Sequence, residues 1–280
     1  LLTGFPADGS EWNEIEPFDD ESATDWEGFT IEQIALADRG RLVLLGNDGD
    51  GNGRILVTDS EGRVLRAFGD PLGTGTLKVD RVRGIAYVLT SSLETAEIRQ
   101  LDLNDPDSET TPLTNLTAPY AFAVAPNGSL IVYRIDSDKL ERYNPATGDA
   151  PVAISVTGEL PLGDGVEPFD LTLVGDTLFL LNGTPPDLVY GIDDTFTLSG
   201  SFGSFIDGST APGSFYGPLR FLDSNADGVF VSDMDPTPSP TVSRIVGFRD
   251  ATGANWTTYG TQGSGVGQFD FFTEGGQIID

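Results

Sequence analysis

The chain has 280 residues, 38% of them hydrophobic, with 35 glycines and 18 prolines. Forty-four acidic against 15 basic residues give a formal net charge of −29, which repels nucleic acid and anionic membrane and sets both aside as partners. Histidine and cysteine are absent, which excludes Ser-His-Asp, Cys-His and histidine- or thiolate-metal chemistry, and disulfides with them.

The first 25 residues form an arm that is rich in carboxylates from Glu11 onward but carries Leu1, Leu2, Phe5, Trp12, Ile15 and Phe18. Residues 31–37, 41–45, 54–58 and 63–68 then read as four successive strands, with Asp59-Ser-Glu-Gly62 turning the chain between the last two. Counterparts of the third strand recur at 97–101, 139–143, 188–192 and 244–248, and counterparts of the turn at Asn144-Pro-Ala-Thr-Gly148 and Asp250-Ala-Thr-Gly253. Second strands are nearly continuous apolar runs, the pattern of a strand packed on both faces. No segment sustains a 3.6-residue period, so little helix is expected. No run approaches the ~18 apolar residues of a membrane helix, so no insertion of this domain into a membrane is expected.

Six glycines open the apolar second strands: Gly40, Gly84, Gly128, Gly175, Gly228 and Gly276, spaced 44, 44, 47, 53 and 48 residues apart. A period near 45 in an all-β chain marks a β-propeller with one four-stranded blade per repeat. The expectation is a six-bladed β-propeller occupying 1–280 as a single domain. Only four residues follow Gly276, so the N-terminal arm, 1–25, is expected to supply strands completing blade six, closing the ring and hiding two edges. Residues 233–242, containing Asp233-Met-Asp-Pro-Thr-Pro-Ser-Pro240, are expected to form an extended, proline-stiffened loop between the second and third strands of blade five.

The fifth repeat reads Pro218-Leu-Arg-Phe-Leu-Asp223, Gly228-Val-Phe-Val-Ser-Asp233, Ser243-Arg-Ile-Val-Gly-Phe248 and Gly253, followed by Tyr259-Gly260 and Gly263-Ser-Gly-Val-Gly-Gln-Phe269. These segments resemble the NHL repeat, and the whole is similar to TolB-like six-bladed propellers of bacterial exported proteins and lipoproteins. Fainter echoes are Phe68-Gly69 and Phe202-Gly203 with Gly213-Ser-Phe215. Repeats two to four depart from the pattern, with Leu89, Tyr133 and Leu181 near the position of the strand-end aspartate. The resemblance implies a binding scaffold in most members and lyases or lactonase-like hydrolases in a minority. It also implies an exported setting: periplasmic, tethered to the cell surface as a lipoprotein, or secreted.

Two segments have the alternating oxygen donors of calcium loops. Asn47-Asp-Gly-Asp-Gly-Asn-Gly53 offers Asp48, Asp50 and Asn52, and Asp223-Ser-Asn-Ala-Asp-Gly228 offers Asp223, Asn225 and Asp227; Ca2+ is the cofactor they suggest. Each also reads as an acidic hairpin turn satisfied by its own side chains. Carboxylate-only chemistry at a channel mouth would draw on Glu32, Asp80, Glu167, Asp170 and Asp223 by strand position, with Glu167 and Asp170 the catalytic candidates. Two functions are expected to compete. One is non-enzymatic binding of a protein, glycan or small molecule on the loop face or in the channel. The other is divalent-metal-dependent, lactonase-like hydrolysis.

Overall fold

A computed structural model describes residues 2–4, 13–15, 29–48, 50, 52–60, 62–69, 75–90, 96–105, 111–113, 116, 118–157, 162, 168–182, 188–205, 211–215, 222–225, 228–235, 242–262 and 268–269. The chain is an all-β propeller with four-stranded antiparallel blades. A short hairpin, β1 (Leu2–Gly4) on β2 (Asn13–Ile15), precedes the first blade. Blade I is β3 (Thr30–Leu36), β4 (Leu42–Asn47), β5 (Gly53–Thr58) and β6 (Val64–Gly69). Blade II is β7 (Gly75–Asp80), β8 (Ile85–Thr90), β9 (Ile98–Asp102) and β10 (Thr111–Pro112). Blade III is β11 (Pro119–Val124), β12 (Leu130–Arg134), β13 (Lys139–Tyr143) and β14 (Val152–Ile154). Blade IV is β15 (Pro168–Val174), β16 (Thr177–Asn182), β17 (Val189–Ile192) and β18 (Leu198–Phe202). After a two-residue parallel pair, β19 (Ser204–Phe205) with β20 (Ser214–Phe215), blade V follows as β21 (Leu222–Asn225), β22 (Gly228–Asp235), β23 (Val242–Phe248) and β24 (Thr257–Tyr259). A second parallel pair, β25 (Thr261–Gln262) with β26 (Gln268–Phe269), comes last.

Among the described residues there are thus five four-stranded blades where the sequence predicts six; the expected sixth falls on residues 263–280 and 1–25, which lie largely outside the description. The chain divides into two compact units, Leu1–Thr90 with Arg99–Thr111, and Ser91–Ile98 with Pro112–Ile278. Blades I and II belong mostly to the first, and blades III to V to the second. The only helix among the described residues is a three-residue 3-10 turn, Asp38–Gly40.

The glycine repeat has a local cause. Gly40, Gly84, Gly128 and Gly175 close the hairpin between the first and second strands with φ of +74°, +66°, +84° and +57°, a conformation that costs other residues a steric clash. Gly228 keeps its place for a different reason: a Cβ there would lie 2.5 Å from the carbonyl oxygen of Phe248 on the neighbouring strand. Gly276 lies outside the described residues.

Packing explains the continuous apolar second strands. In β16, Leu178 and Leu180 pack into a core with Ala123, Ile131, Tyr133 and Leu140 of blade III. The alternate residues Phe179 and Leu181 pack into a core with Val229, Val231, Val246 and Phe248 of blade V. A strand between two blades has no solvent face, so each of its large side chains contributes about 1.5–3 kcal/mol by burial. The same logic joins Val43, Leu45, Ile55 and Val57 of blade I to Ala86, Val88 and Leu101 of blade II.

Candidate functional site

The innermost strands carry the site. Three of them begin with a β-bulge at the same position. In β3, Ile31 faces Gly46 and Gln33 faces Leu45, leaving Glu32 as the extra residue. In β11, Pro119 faces Arg134 and Ala121 faces Tyr133, leaving Tyr120. In β15, Pro168 faces Asn182 and Asp170 faces Leu181, leaving Phe169. A bulged residue drops out of the ladder and its side chain is re-aimed. Proline suits the strand start just before the bulge, where no ladder donor is required of it.

Tyr120 and Phe169 belong to adjacent blades, and each is large, aromatic and exposed, at 37% and 44%. Their ring centroids are 6.1 Å apart at 57°. Tyr120 also sets its ring edge-on to buried Tyr133 at 6.4 Å, and the Tyr133 hydroxyl donates to Asp138 Oδ1 at 3.1 Å. Exposed Ile135 lies on the turn at the same end of blade III, where its N–H donates to the Ala118 carbonyl. On this hairpin Arg134 donates to Asp136 Oδ2 at 2.7 Å and to Glu141 Oε1 at 3.1 Å. The hydrogen bond from Arg134 holds the Asp136 carboxyl below the usual range. Sequence reasoning missed Tyr120 and Phe169. The signal was present as two Pro-aromatic dipeptides, Pro119-Tyr120 and Pro168-Phe169, each opening an inner strand.

Glu32 holds the matching position in blade I and accepts a hydrogen bond from Asn47 Nδ2. Burial pushes its carboxyl up, with the Asn47 bond opposing that shift. An acid whose folded pKa is raised disfavours the folded state once it ionises. Glu32→Gln keeps an acceptor for Asn47 and removes the charge. It is expected to raise the melting temperature at pH 7 and to leave it unchanged below about pH 3, where both side chains are neutral in the folded and unfolded states. A variant that melts below the parent at pH 7 would show that the charge itself is stabilising.

The residue after the bulge ties one blade to the next. Asp170 is 4% exposed; its Oδ1 accepts from the Leu171 N–H at 2.8 Å and its Oδ2 from the Leu222 N–H at 2.9 Å, on the inner strand of blade V. Thr172 and Ser224 hydroxyls meet beside it at 2.7 Å. Gln33, at the same register in blade I, donates to the Gly75 carbonyl and accepts from the Leu77 N–H, both at 2.6 Å. Asp170 is therefore placed as an inter-blade clip with both oxygens on backbone donors. Glu167 lies outside the described residues.

The first calcium-like loop has the hydrogen bonding of a turn. Asp48 Oδ1 accepts from the N–H groups of Asp50 and Asn52 at 3.0 and 2.9 Å, and the Asp48 N–H donates to the Asn52 carbonyl. Asp193 accepts in the same way from Thr195 and Thr197, and Asp250 from Thr252 and Ala254, at ordinary hairpin turns. These bonds hold the Asp48 carboxyl below its usual range, the one from the Asn52 N–H most of all. In the second candidate, Asp223 and Asn225 lie in β21 and Asn225 pairs with Gly228; Asp227 is outside the described residues. Asp80 caps the β7–β8 turn, accepting from the N–H groups of Val82 and Arg83 and from the Arg83 guanidinium at 2.7 Å. Among the described residues these carboxylates are not brought into any group of three or more. The segment expected as a loop at 233–242 is partly ladder: β22 continues to Asp235 and β23 begins at Val242.

No protein-family model matches the chain, and no curated protein does. Among solved structures it is similar to a hydrazine synthase chain of Kuenenia stuttgartiensis, at 12% identity over 82% of this chain and 65% of that one, with a TM-score of 0.55. It is also similar to a catalytically inactive virginiamycin B lyase of Staphylococcus aureus with quinupristin, at 15% identity over 83% and 70%, TM-score 0.53. A protein of unknown function from Bacteroides caccae matches at 11% identity over 82% and 81%, TM-score 0.53. The chain spans just under two thirds of the hydrazine synthase chain it matches. At these identities the likeness shows the propeller fold.

Proposed function

We propose that this chain is a binding propeller of NHL or TolB-like type whose recognition surface is the end of blades III and IV bearing Tyr120 and Phe169. The observation that carries the reading is the pairing of two exposed rings on equivalent bulges of adjacent inner strands. Large aromatic side chains left in water lose hydrophobic stabilisation, yet they are the side chains that contribute most to binding when covered. The parallel pairs after blades IV and V, where Phe202-Gly203 and Tyr259-Gly260 lead into Phe215 and Phe269, support the NHL comparison. The same reading includes a sixth blade built from the C-terminal segment and the N-terminal arm.

A hydrolase or lyase reading has less support. The inactive lyase form in the similar structure carries a histidine-to-alanine change, and this chain has no histidine. Asp170, the carboxylate best placed on an inner strand, is committed to two backbone donors.

The test replaces Tyr120 and Phe169 together by alanine and compares a rim control, Leu65→Ser with Val152→Ser, which removes exposed apolar side chains from outer strands. Each protein is screened against immobilised oligosaccharides and peptides. Losing one aromatic anchor typically costs 1–2 kcal/mol of binding, so the ring variant is expected to bind the parent's ligand at least about tenfold more weakly, with the rim control unchanged. Equal binding by all three proteins would remove this surface from the function.

A further inference from the structure

We infer, resting on the binding reading above, that the occupant of the Tyr120–Phe169 surface is a cationic protein segment that presents arginine or lysine side chains to the two rings. Three observations favour a cation over a neutral or anionic ligand. First, the net charge of −29 gives a long-range field that concentrates cationic partners and repels anionic ones. Second, the turn of the hairpin beside the rings presents two exposed carboxylates, Asp136 and Asp138. Across the hairpin Asp136, Asp138 and Glu141 are matched in number by Arg134, Lys139 and Arg142, but the Arg134 charge is taken up by Asp136 and Glu141 and the Arg142 guanidinium lies over the Phe196 ring. Third, the two rings are tilted against each other and offer surface to solvent, and the negative face of an aromatic ring attracts a guanidinium or ammonium ion. Among the described residues that geometry already occurs: the Arg66 guanidinium lies 4.0 Å from the centroid of Phe68, and that of Arg142 5.0 Å from Phe196. Arginine suits the site better than lysine because its planar group can stack on a ring and still donate to a carboxylate such as Asp138.

The experiment measures fluorescence anisotropy with a labelled Gly-Arg-Gly-Arg-Gly-Arg-Gly peptide, its citrulline analogue (the same shape without charge) and a labelled neutral hexasaccharide. The proteins are the parent, the Tyr120→Ala/Phe169→Ala variant and the Leu65→Ser/Val152→Ser rim control, each checked for an unchanged unfolding midpoint. The arginine peptide is expected to bind the parent and the rim control equally and the ring variant at least about tenfold more weakly, with the citrulline peptide weak on all three. Added salt should weaken the arginine peptide through screening. Equal binding of the arginine peptide to all three proteins would mean general attraction to an acidic surface and would overturn the inference; so would no binding at all. Ring-dependent binding of the hexasaccharide or the citrulline peptide, without a preference for arginine, would overturn the cationic class and leave the binding face standing. No ring dependence with any probe would remove both.

Discussion

Asp233→Ala is expected to lower stability by about 3–5 kcal/mol, the loss typical of breaking one partner from a buried ion pair. Asp233 is 0% exposed and Arg244 2% exposed. They sit opposite each other on β22 and β23, with Arg244 Nε 2.6 Å from Asp233 Oδ2. Arg244 Nη2 also donates to the Ser214 carbonyl at 2.8 Å, tying the linker strand β20 to blade V. Removing the carboxylate leaves a guanidinium charge in the protein interior with its counter-ion gone, and desolvation that the pair had offset then falls on one group. Arg244→Ala should cost a similar amount by exposing the opposite charge to the same penalty. The double variant Asp233→Leu/Arg244→Met is expected to recover most of the loss, because neither charge is then buried. Urea unfolding at pH 7 reads all four proteins. A single variant within about 1 kcal/mol of the parent would show that water reaches the site and screens it.

Sodium chloride is expected to raise the melting temperature by several degrees between about 0.1 M and 2 M. Thirty aspartates and 14 glutamates against 13 arginines and two lysines make the folded surface self-repelling. The Debye length falls from about 10 Å at 0.1 M to about 3 Å at 1 M, so most of that repulsion is screened within the range tested. Calcium at matched ionic strength is expected to add nothing beyond sodium, because Asp48 is bonded as Asp193 and Asp250 are at simple turns. A calcium-specific rise that disappears in Asp48→Asn/Asp50→Asn would identify the loop as a cation site instead. The same series run against pH separates the turns from the surface. Hydrogen bonds hold the carboxyls of Asp250, from Thr252, and of Asp38, from Arg41, below their usual range. Their contribution is present above the unfolded pKa of about 3.9 and is lost as pH falls through the lower folded values. Salt should not restore that loss.

The elements that were legible in the sequence are those governed by short-range physics. The glycine period marked the hairpins because positive φ at Gly40, Gly84, Gly128 and Gly175 is a property of single residues. The four strands of blade I came out within two residues of their bounds, since turn chemistry and apolar runs are local signals. The echo of Phe202-Gly203 and Gly213-Ser-Phe215 in the fifth repeat became the same parallel pair in space. The strand-end Asp233 and the Arg244 of the third strand were both visible as motif residues, but nothing in one dimension said that they faced each other.

The site was decided by tertiary structure. A bulge at Tyr120 or Phe169 is defined by the count of residues on the partner strand, so the rings are singled out only once β11 and β15 have registered against β12 and β16. Strand position alone made Asp170 a candidate; that its Oδ2 accepts from the Leu222 N–H depends on the next blade. Sequence alone determined that this is a repeated, acidic, all-β chain without histidine or cysteine, because composition, periodicity and turn preference belong to the chain itself. Which aromatic side chains face solvent together, and which carboxylates are spent on backbone donors, was decided by the tertiary structure, because both depend on neighbouring blades some 50 residues away in the chain.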